Sequence, residues 1–182
     1  MKFGDQRNAC FTGSANRRRG FTLIELMIAM AILLIGIVGV AQLIPLSIKS
    51  NMQNRYDSTA VVLAERELNQ MINQPLTSPQ FTDIDGRVIQ LGSVAATGLV
   101  GTPIQIVGTT VRVDFTGAAV FDYTANLTDP NAAIPITYEM RWTVIGRVAA
   151  GTVVSKRFLV GVWKRDPRGV TVPVTVEATV QR

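Results

Sequence analysis

Hydrophobic residues follow three successive patterns along this chain, and the first is an unbroken apolar run. Among the 28 residues 21–48, Glu25 is the only charged side chain. That length is sufficient to cross a bilayer as one helix. Sixteen of these residues are Leu, Ile, Val or Phe, which favours insertion by about 7 kcal/mol, whereas one carboxylate opposes it by about 3 kcal/mol. The run therefore predicts a membrane-spanning helix in which Glu25 needs a partner of opposite charge.

The second pattern begins at Lys49, where apolar residues recur at spacings of three and four, as they do on one face of a helix. The apolar positions are Val61, Ala64, Leu68 and Met71, and the remaining faces carry Arg55, Glu65, Arg66, Glu67 and Asn69. Pro75 ends the helix because proline disfavours helical backbone in the residue before it. The pattern predicts one helix from about Thr22 to Asn73, whose second half packs on a globular domain.

After Pro75 the period changes to two, which is typical of strands. The clearest strand covers residues 136–144, and others are predicted at residues 104–107, 109–115, 153–163 and 170–180. In the clearest strand, the polar face consists of Thr137, Glu139, Arg141 and Thr143. Strands that are apolar on one face and polar on the other suit an antiparallel sheet packed on the amphipathic helix. We therefore expect an α+β fold.

The segments between the strands carry turn and loop signals. Asp85-Gly86 predicts a tight turn that opens a hairpin. Residues 92–109 are rich in Gly and Thr, and we expect loop there, apart from the short strand, and at residues 126–135. Pro173 cannot donate to a hydrogen-bond ladder, so we expect the last strand at an edge of the sheet.

The charges of the chain are concentrated at its start. The formal charge is +5, but residues 1–20 carry five cations and one acid, a net +4, which leaves +1 for residues 21–182. Such a basic segment before an apolar span favours retention in the cytoplasm. Cys10 is the only cysteine and histidine is absent, which excludes an internal disulfide, Ser-His-Asp and Cys-His catalysis, and histidine-ligated metals.

The junction reads Arg17-Arg18-Arg19-Gly20-Phe21-Thr22-Leu23-Ile24-Glu25, which resembles the class III signal of type IV prepilins. The resemblance is strong to about Met71. It implies that a prepilin peptidase recognises the leader arginines and cuts between Gly20 and Phe21, and that Phe21 is then N-methylated. It also implies the type IV pilin fold: a leader (1–20), a long helix (21–73, first half transmembrane) and an exported β domain (74–182).

In pilins, the glutamate at the position of Glu25 is thought to pair with the amino group of a neighbouring subunit. Opposite charges attract far more strongly in a low-dielectric medium than in water, although desolvation offsets much of that gain. A protonated or snorkelling carboxylate is the alternative. Three other interpretations of the span compete: an ordinary secretory signal, a twin-arginine signal and an uncleaved anchor.

Within this family the chain most resembles minor pilins of the PilV type, through residues 64–71 and the strand segments 138–142 and 158–163. The resemblance implies a subunit of the inner membrane that joins other major and minor pilins, helps to prime a type IV pilus, and supports adhesion, motility or DNA uptake. The I-type minor pseudopilins of type II secretion share a similar helix and β domain, so a periplasmic pseudopilus remains the alternative.

Other candidate sites are weaker. Asp83-Ile84-Asp85-Gly86 does not have EF-hand spacing, so we interpret it as a turn. The pairs Lys156-Arg157 and Lys164-Arg165, with Trp163, Asp166 and Arg168 nearby, suggest a patch for DNA, although we favour solvated strand faces and keep DNA binding open. Trp142 and Trp163 are expected in the core. We predict no cofactor, no metal site and no enzymatic activity.

Overall fold

The computed structural model describes residues 20–129, 135–165 and 171–182. The chain divides into two compact units, Met1–Ile48 and Lys49–Arg182. Helix α1 covers Leu23–Ile72, within one residue of the predicted ends. Among the described residues it is the one helix long and apolar enough to span a membrane.

In the first unit, every residue of the apolar run is exposed. Large side chains such as Ile35 are 75% exposed and Leu23 is 77% exposed. Contiguous apolar surface of this extent marks contact with a membrane or with other proteins.

The described residues of the second unit contain the second part of α1 and nine strands in antiparallel pairs. The strands are β1 (Gln80–Thr82), β2 (Val88–Gln90), β3 (Gly98–Gly101), β4 (Ile104–Val107), β5 (Thr110–Val113), β6 (Thr124–Asp129), β7 (Ile136–Ala149), β8 (Thr152–Lys164) and β9 (Val174–Gln181). The main sheet has the order β3-β7-β8-β9, and β6 also pairs with β7. β1–β2 and β4–β5 form separate hairpins. The predicted α+β fold is confirmed.

The core lies between α1 and the main sheet. Its buried helix residues are Ala60, Ala64, Leu68 and Met71, and its sheet residues include Tyr138, Met140, Trp142, Val144, Phe158, Val160 and Val162. The indole N–H of Trp142 donates to the carbonyl of Gln90 at 3.0 Å. Trp142 is therefore a core residue, as expected, and Trp163 is partly buried, with its ring 5.8 Å from that of Phe115.

The opposite face of β7, which the alternation marks as polar, is buried. Glu139 is 5% exposed, Arg141 2% and Thr143 0%. The β4–β5 hairpin and the segment after it cover this face, where Val113, Phe115 and Leu159 form a second small core. Polar side chains can be buried when they have partners, and Arg141 donates to the carbonyls of Asp114 and Gly117 at 3.0 and 2.9 Å. Alternation alone does not show that such a face is covered.

The expected loop at residues 126–135 is also wrong in its first part. Residues 126–129 belong to β6, which pairs with β7 from Thr124 opposite Arg141 to Asp129 opposite Ile136. Only one large apolar residue, Leu127, marks this strand, so its alternation is weak in the sequence. Its structure comes from pairing with β7. Residues 130–134 lie outside the described residues.

β3 was expected to be loop because residues 92–109 are rich in Gly and Thr. At Gly101, where φ is +123°, a Cβ would lie 2.7 Å from the carbonyl oxygen of Trp142. Glycine is therefore required for close approach of two strands. The other predicted strands are present, including β4, but β7 continues to Ala149, five residues past its predicted end, and β9 begins only at Val174 rather than at residue 170. Among the described strands, β9 pairs only with β8. Pro173 directly precedes it.

Candidate functional site

The start of α1 carries the residues that the sequence singled out. Gly20, Phe21 and Thr22 lie before the helix and are exposed, with Phe21 83% exposed. Thr22 caps the first turn: the backbone N–H of Glu25 donates to Thr22 Oγ1 at 3.3 Å and to the Thr22 carbonyl at 3.1 Å. The bond between Gly20 and Phe21 therefore lies in exposed, non-helical backbone.

Glu25 lies in this first turn and is exposed. Its negative charge is favourable at a helix amino terminus because the backbone N–H groups there carry partial positive charge. Thr22 and Glu25 have the spacing of a capping box. This spacing is visible in the sequence, but the cap was not among the predictions. Arg17, Arg18 and Arg19 lie outside the described residues.

A second cluster joins α1 to the β1–β2 hairpin. Carboxylate oxygens of Glu67, Asp83 and Asp85 lie within 4.8 Å of one another, an arrangement that can hold a cation. Guanidinium groups already bind them, since Arg87 Nη2 lies 3.0 Å from both Glu67 Oε1 and Asp85 Oδ2, and Arg66 Nη2 lies 2.6 Å from Glu67 Oε1. We interpret the cluster as an ion-pair network that fixes the hairpin to the helix.

Glu67 corrects a sequence expectation. The helical pattern placed it on a polar face, yet it is fully buried. Its partner Arg87 lies 20 residues further on, so no local signal indicated the burial. The hydrogen bond with Glu67 raises the pKa of Arg66 and keeps it charged. The Asp83–Gly86 segment itself is a turn, as predicted, with Gly86 at φ +78° and Asp83 Oδ1 accepting from the N–H of Asp85 at 2.9 Å and of Arg87 at 3.0 Å.

An open cavity of about 470 Å³ lies beside this network. Its lining consists of Thr59, Leu63, Arg66, Asp85, Arg87 and residues 126–129. The lining carries no net charge, because its two guanidinium groups are matched by two carboxylates, those of Asp85 and Asp129.

The four cations considered for DNA binding do not share one surface. Lys156 is 2% exposed and its Nζ donates to the carbonyls of Ser78 and Gly92 at 2.8 and 3.4 Å. Burial lowers its pKa. Arg157 points to the other face of β8, as adjacent strand residues do, and pairs with Glu177 at 2.5 Å.

The remaining two cations lie at the end of β8. Lys164 stacks on Tyr56 of α1, with Nζ 3.5 Å from the ring centroid. Arg165 binds Glu139 and stacks on Trp163 at 4.4 Å. Asp166 and Arg168 lie outside the described residues. The described cations therefore form separate contacts rather than one DNA-binding patch.

Comparison with known proteins gives one family. Residues 15–41 match the family model described as "Prokaryotic N-terminal methylation motif". No curated protein and no solved structure matches the chain significantly. The match covers the junction and most of the apolar run. It supports a type IV pilin-like or pseudopilin-like protein, whose apolar helix points to membrane anchoring before assembly.

Proposed function

We propose that this type IV pilin-like protein is a non-enzymatic minor pilin. A prepilin peptidase removes residues 1–20, Phe21 becomes the N-methylated amino terminus, and the subunit enters a type IV pilus or primes its assembly. The observation that carries the proposal is the methylation motif at residues 15–41, which includes the start of a helix whose apolar first half is exposed.

The backbone around Gly20 is suited to processing. A peptidase needs an accessible peptide bond, and exposed non-helical backbone provides one. The Thr22 cap starts the helix at Leu23, so the bond between Gly20 and Phe21 stays outside the hydrogen-bonded turns. Because the cap lies on the carboxyl side of the bond, cleavage leaves it in place.

In an assembled filament, the helices of other subunits would cover the exposed apolar run, and a neighbouring subunit would provide a cation for Glu25. Apolar surface on this scale is stabilised by lipid before assembly and by the helices of other pilins afterwards. Cleavage creates a cationic amino group at Phe21. In a dry filament core, Glu25 of one subunit neutralises that group on a neighbour, which offsets the desolvation of both charges.

Two measurements on membrane and filament fractions test the proposal. We expect mass spectrometry of the membrane-bound protein to give an amino terminus at methylated Phe21. Another amino terminus would overturn the proposal. Glu25→Ala should reduce recovery of the subunit in sheared filaments, whereas Glu65→Ala, which removes an exposed acid elsewhere on α1, should not.

The same fractions separate a pilus from a secretion pseudopilus. We expect the subunit to copurify with surface pili. Copurification with a periplasmic pseudopilus, and loss of protein secretion when the subunit is deleted, would instead support the I-type pseudopilin.

A further inference from the structure

Strand β9 forms one edge of the main sheet and lacks the features that usually protect such an edge. Among the described strands it pairs only with β8, over eight residue pairs without a shift in register. Natural edge strands are commonly short or bulged, or they carry lysine or proline. β9 is eight residues long and contains neither lysine nor proline, and its one charged residue, Glu177, is paired with Arg157. β9 is therefore suited to pair with a further strand.

Strand β6 lies at the opposite edge of the sheet, on the side of β7 that faces away from β8. Consecutive strand residues point to opposite faces, yet all four residues 126–129 line the open cavity of about 470 Å³. The cavity must therefore extend along the edge of β6 rather than over one face. Its other wall is one face of α1, where Thr59, Leu63 and Arg66 have helical spacing. We call this space between β6 and α1 the edge groove.

The two edges of the sheet are complementary in direction. β6, β7, β8 and β9 are each antiparallel to the next, so β6 and β9 point opposite ways. When two copies lie side by side in the same orientation, β9 of one copy is antiparallel to β6 of the other. Both strands also turn their apolar residues toward the core on the helix side of the sheet: Ala125, Leu127, Val174, Val176, Ala178 and Val180.

The residues of the two strands match in one register, with residues 124–129 of one copy opposite residues 174–179 of the other. Threonine pairs and apolar pairs are favourable across strands, and this register brings no like charges together. A slip of one residue would place apolar side chains opposite polar ones. The matched pairs are Thr124 with Thr179, Ala125 with Ala178, Asn126 with Glu177, Leu127 with Val176, and Thr128 with Thr175.

We propose that β9 of one copy of this chain docks in the edge groove of a second copy and pairs with β6, so that the two sheets become continuous. The contact is head to tail, and each added copy presents a further β9 edge or edge groove to the next. It uses residues of the second unit alone, so it does not depend on cleavage after Gly20.

Mixing of two single-cysteine chains tests the pairing. Cys10 is the only native cysteine, so Cys10→Ser gives a full chain without cysteine. In that background, Asn126→Cys and Glu177→Cys chains are mixed in detergent and oxidised; both positions are exposed. Directly opposite residues have Cβ atoms about 4.5–5.5 Å apart, close to the separation that a disulfide needs. The control replaces the second chain with Arg147→Cys, an exposed position near the end of β7.

We expect a disulfide-linked dimer from the Asn126→Cys and Glu177→Cys mixture, and little dimer from either chain alone or from the control mixture. A lysine on the edge of β6 should weaken the pairing. Thr128→Lys, added to the Asn126→Cys chain, should lower the yield by about fivefold, which is the loss of one favourable cross-strand pair. Thr109→Lys, exposed in the turn between β4 and β5, should leave the yield unchanged.

Three results would overturn the inference: no dimer, equal yields with the Glu177→Cys and Arg147→Cys chains, or a dimer of the Glu177→Cys chain alone, which would show that β9 pairs with itself. If the chain begins at methylated Phe21, such a result leaves the proposed function intact. Cross-linking as expected in a chain with another amino terminus would overturn the proposed function and support the sheet contact.

Discussion

Arg141 and Glu139 form an ion pair of 2.6 Å on a strand face that the alternation of β7 assigns to solvent. The guanidinium also lies 5.1 Å from the ring centroid of Phe115, beneath the β4–β5 hairpin. Removal of one partner from such a buried pair strongly lowers the stability of the fold, because the remaining charge stays buried without compensation.

We therefore expect Arg141→Met to lower the free energy of unfolding by about 3 kcal/mol. Glu139 would keep only Arg165, and the carbonyls of Asp114 and Gly117 would lose their donor. Denaturant unfolding of the full chain in detergent measures the change. Arg147→Met, an exposed position of the same strand, should have little effect. Equal destabilisation by both variants would contradict the assignment of the pair.

Glu67→Gln should loosen the β1–β2 hairpin. The substitution removes the buried negative charge that Arg66 and Arg87 share, at a cost of about 1.5–3 kcal/mol. Hydrogen exchange should become faster at the amides of residues 80–90. Glu65→Gln removes an exposed acid two residues earlier and should leave the exchange unchanged. Unchanged exchange in Glu67→Gln would show that the network does not hold the hairpin.

Lys156 should make stability depend on pH in the alkaline range. Its folded-state pKa is lowered by burial from an ordinary value of 10.5. Between those two values the unfolded chain holds the proton and the folded chain does not, so the free energy of unfolding rises with pH and levels off above 10.5. Lys156→Met should lack this rise. Denaturant midpoints across the alkaline range measure it, and identical slopes in the two proteins would refute the prediction.

Gly161→Ala should displace the β4–β5 hairpin from the sheet. A Cβ at this position would lie 2.8 Å from Phe115 Cε2 and 2.9 Å from Val113 Cβ. Overpacking of this kind costs about 1–3 kcal/mol. The fluorescence of Trp163, whose ring contacts Phe115, reports the shift. Gly117→Ala, where the nearest atom is 3.8 Å away, should preserve both fluorescence and stability.

The long helix and the sheet were predictable because their signals are local and repetitive. Ala64, Leu68 and Met71 form a helical face, and residues 136–144 alternate without a break. The errors arose where a residue's environment depends on distant chain. Glu67 is buried by Arg87, Arg141 is covered by the β4–β5 hairpin, and β6 takes its form from β7.

The candidate site follows the same division. Gly20, Phe21 and Glu25 were predicted from their order along the chain, because the matching methylation motif consists of consecutive residues. Residue order did not show that four cations lie on separate surfaces: Lys156, Arg157, Lys164 and Arg165. Neighbouring residues in a strand point to opposite faces, so consecutive cations did not predict a patch.

The position of the Thr22 cap has a consequence for the timing of maturation. Thr22 and Glu25, both on the carboxyl side of the proposed cleavage site, supply a hydrogen bond of the first turn themselves. Under the proposed processing, the start of α1 would have the same conformation before and after cleavage. Cleavage would then change only the charge at Phe21. It would replace a neutral peptide group with a cation and would require no refolding of the first turn of α1.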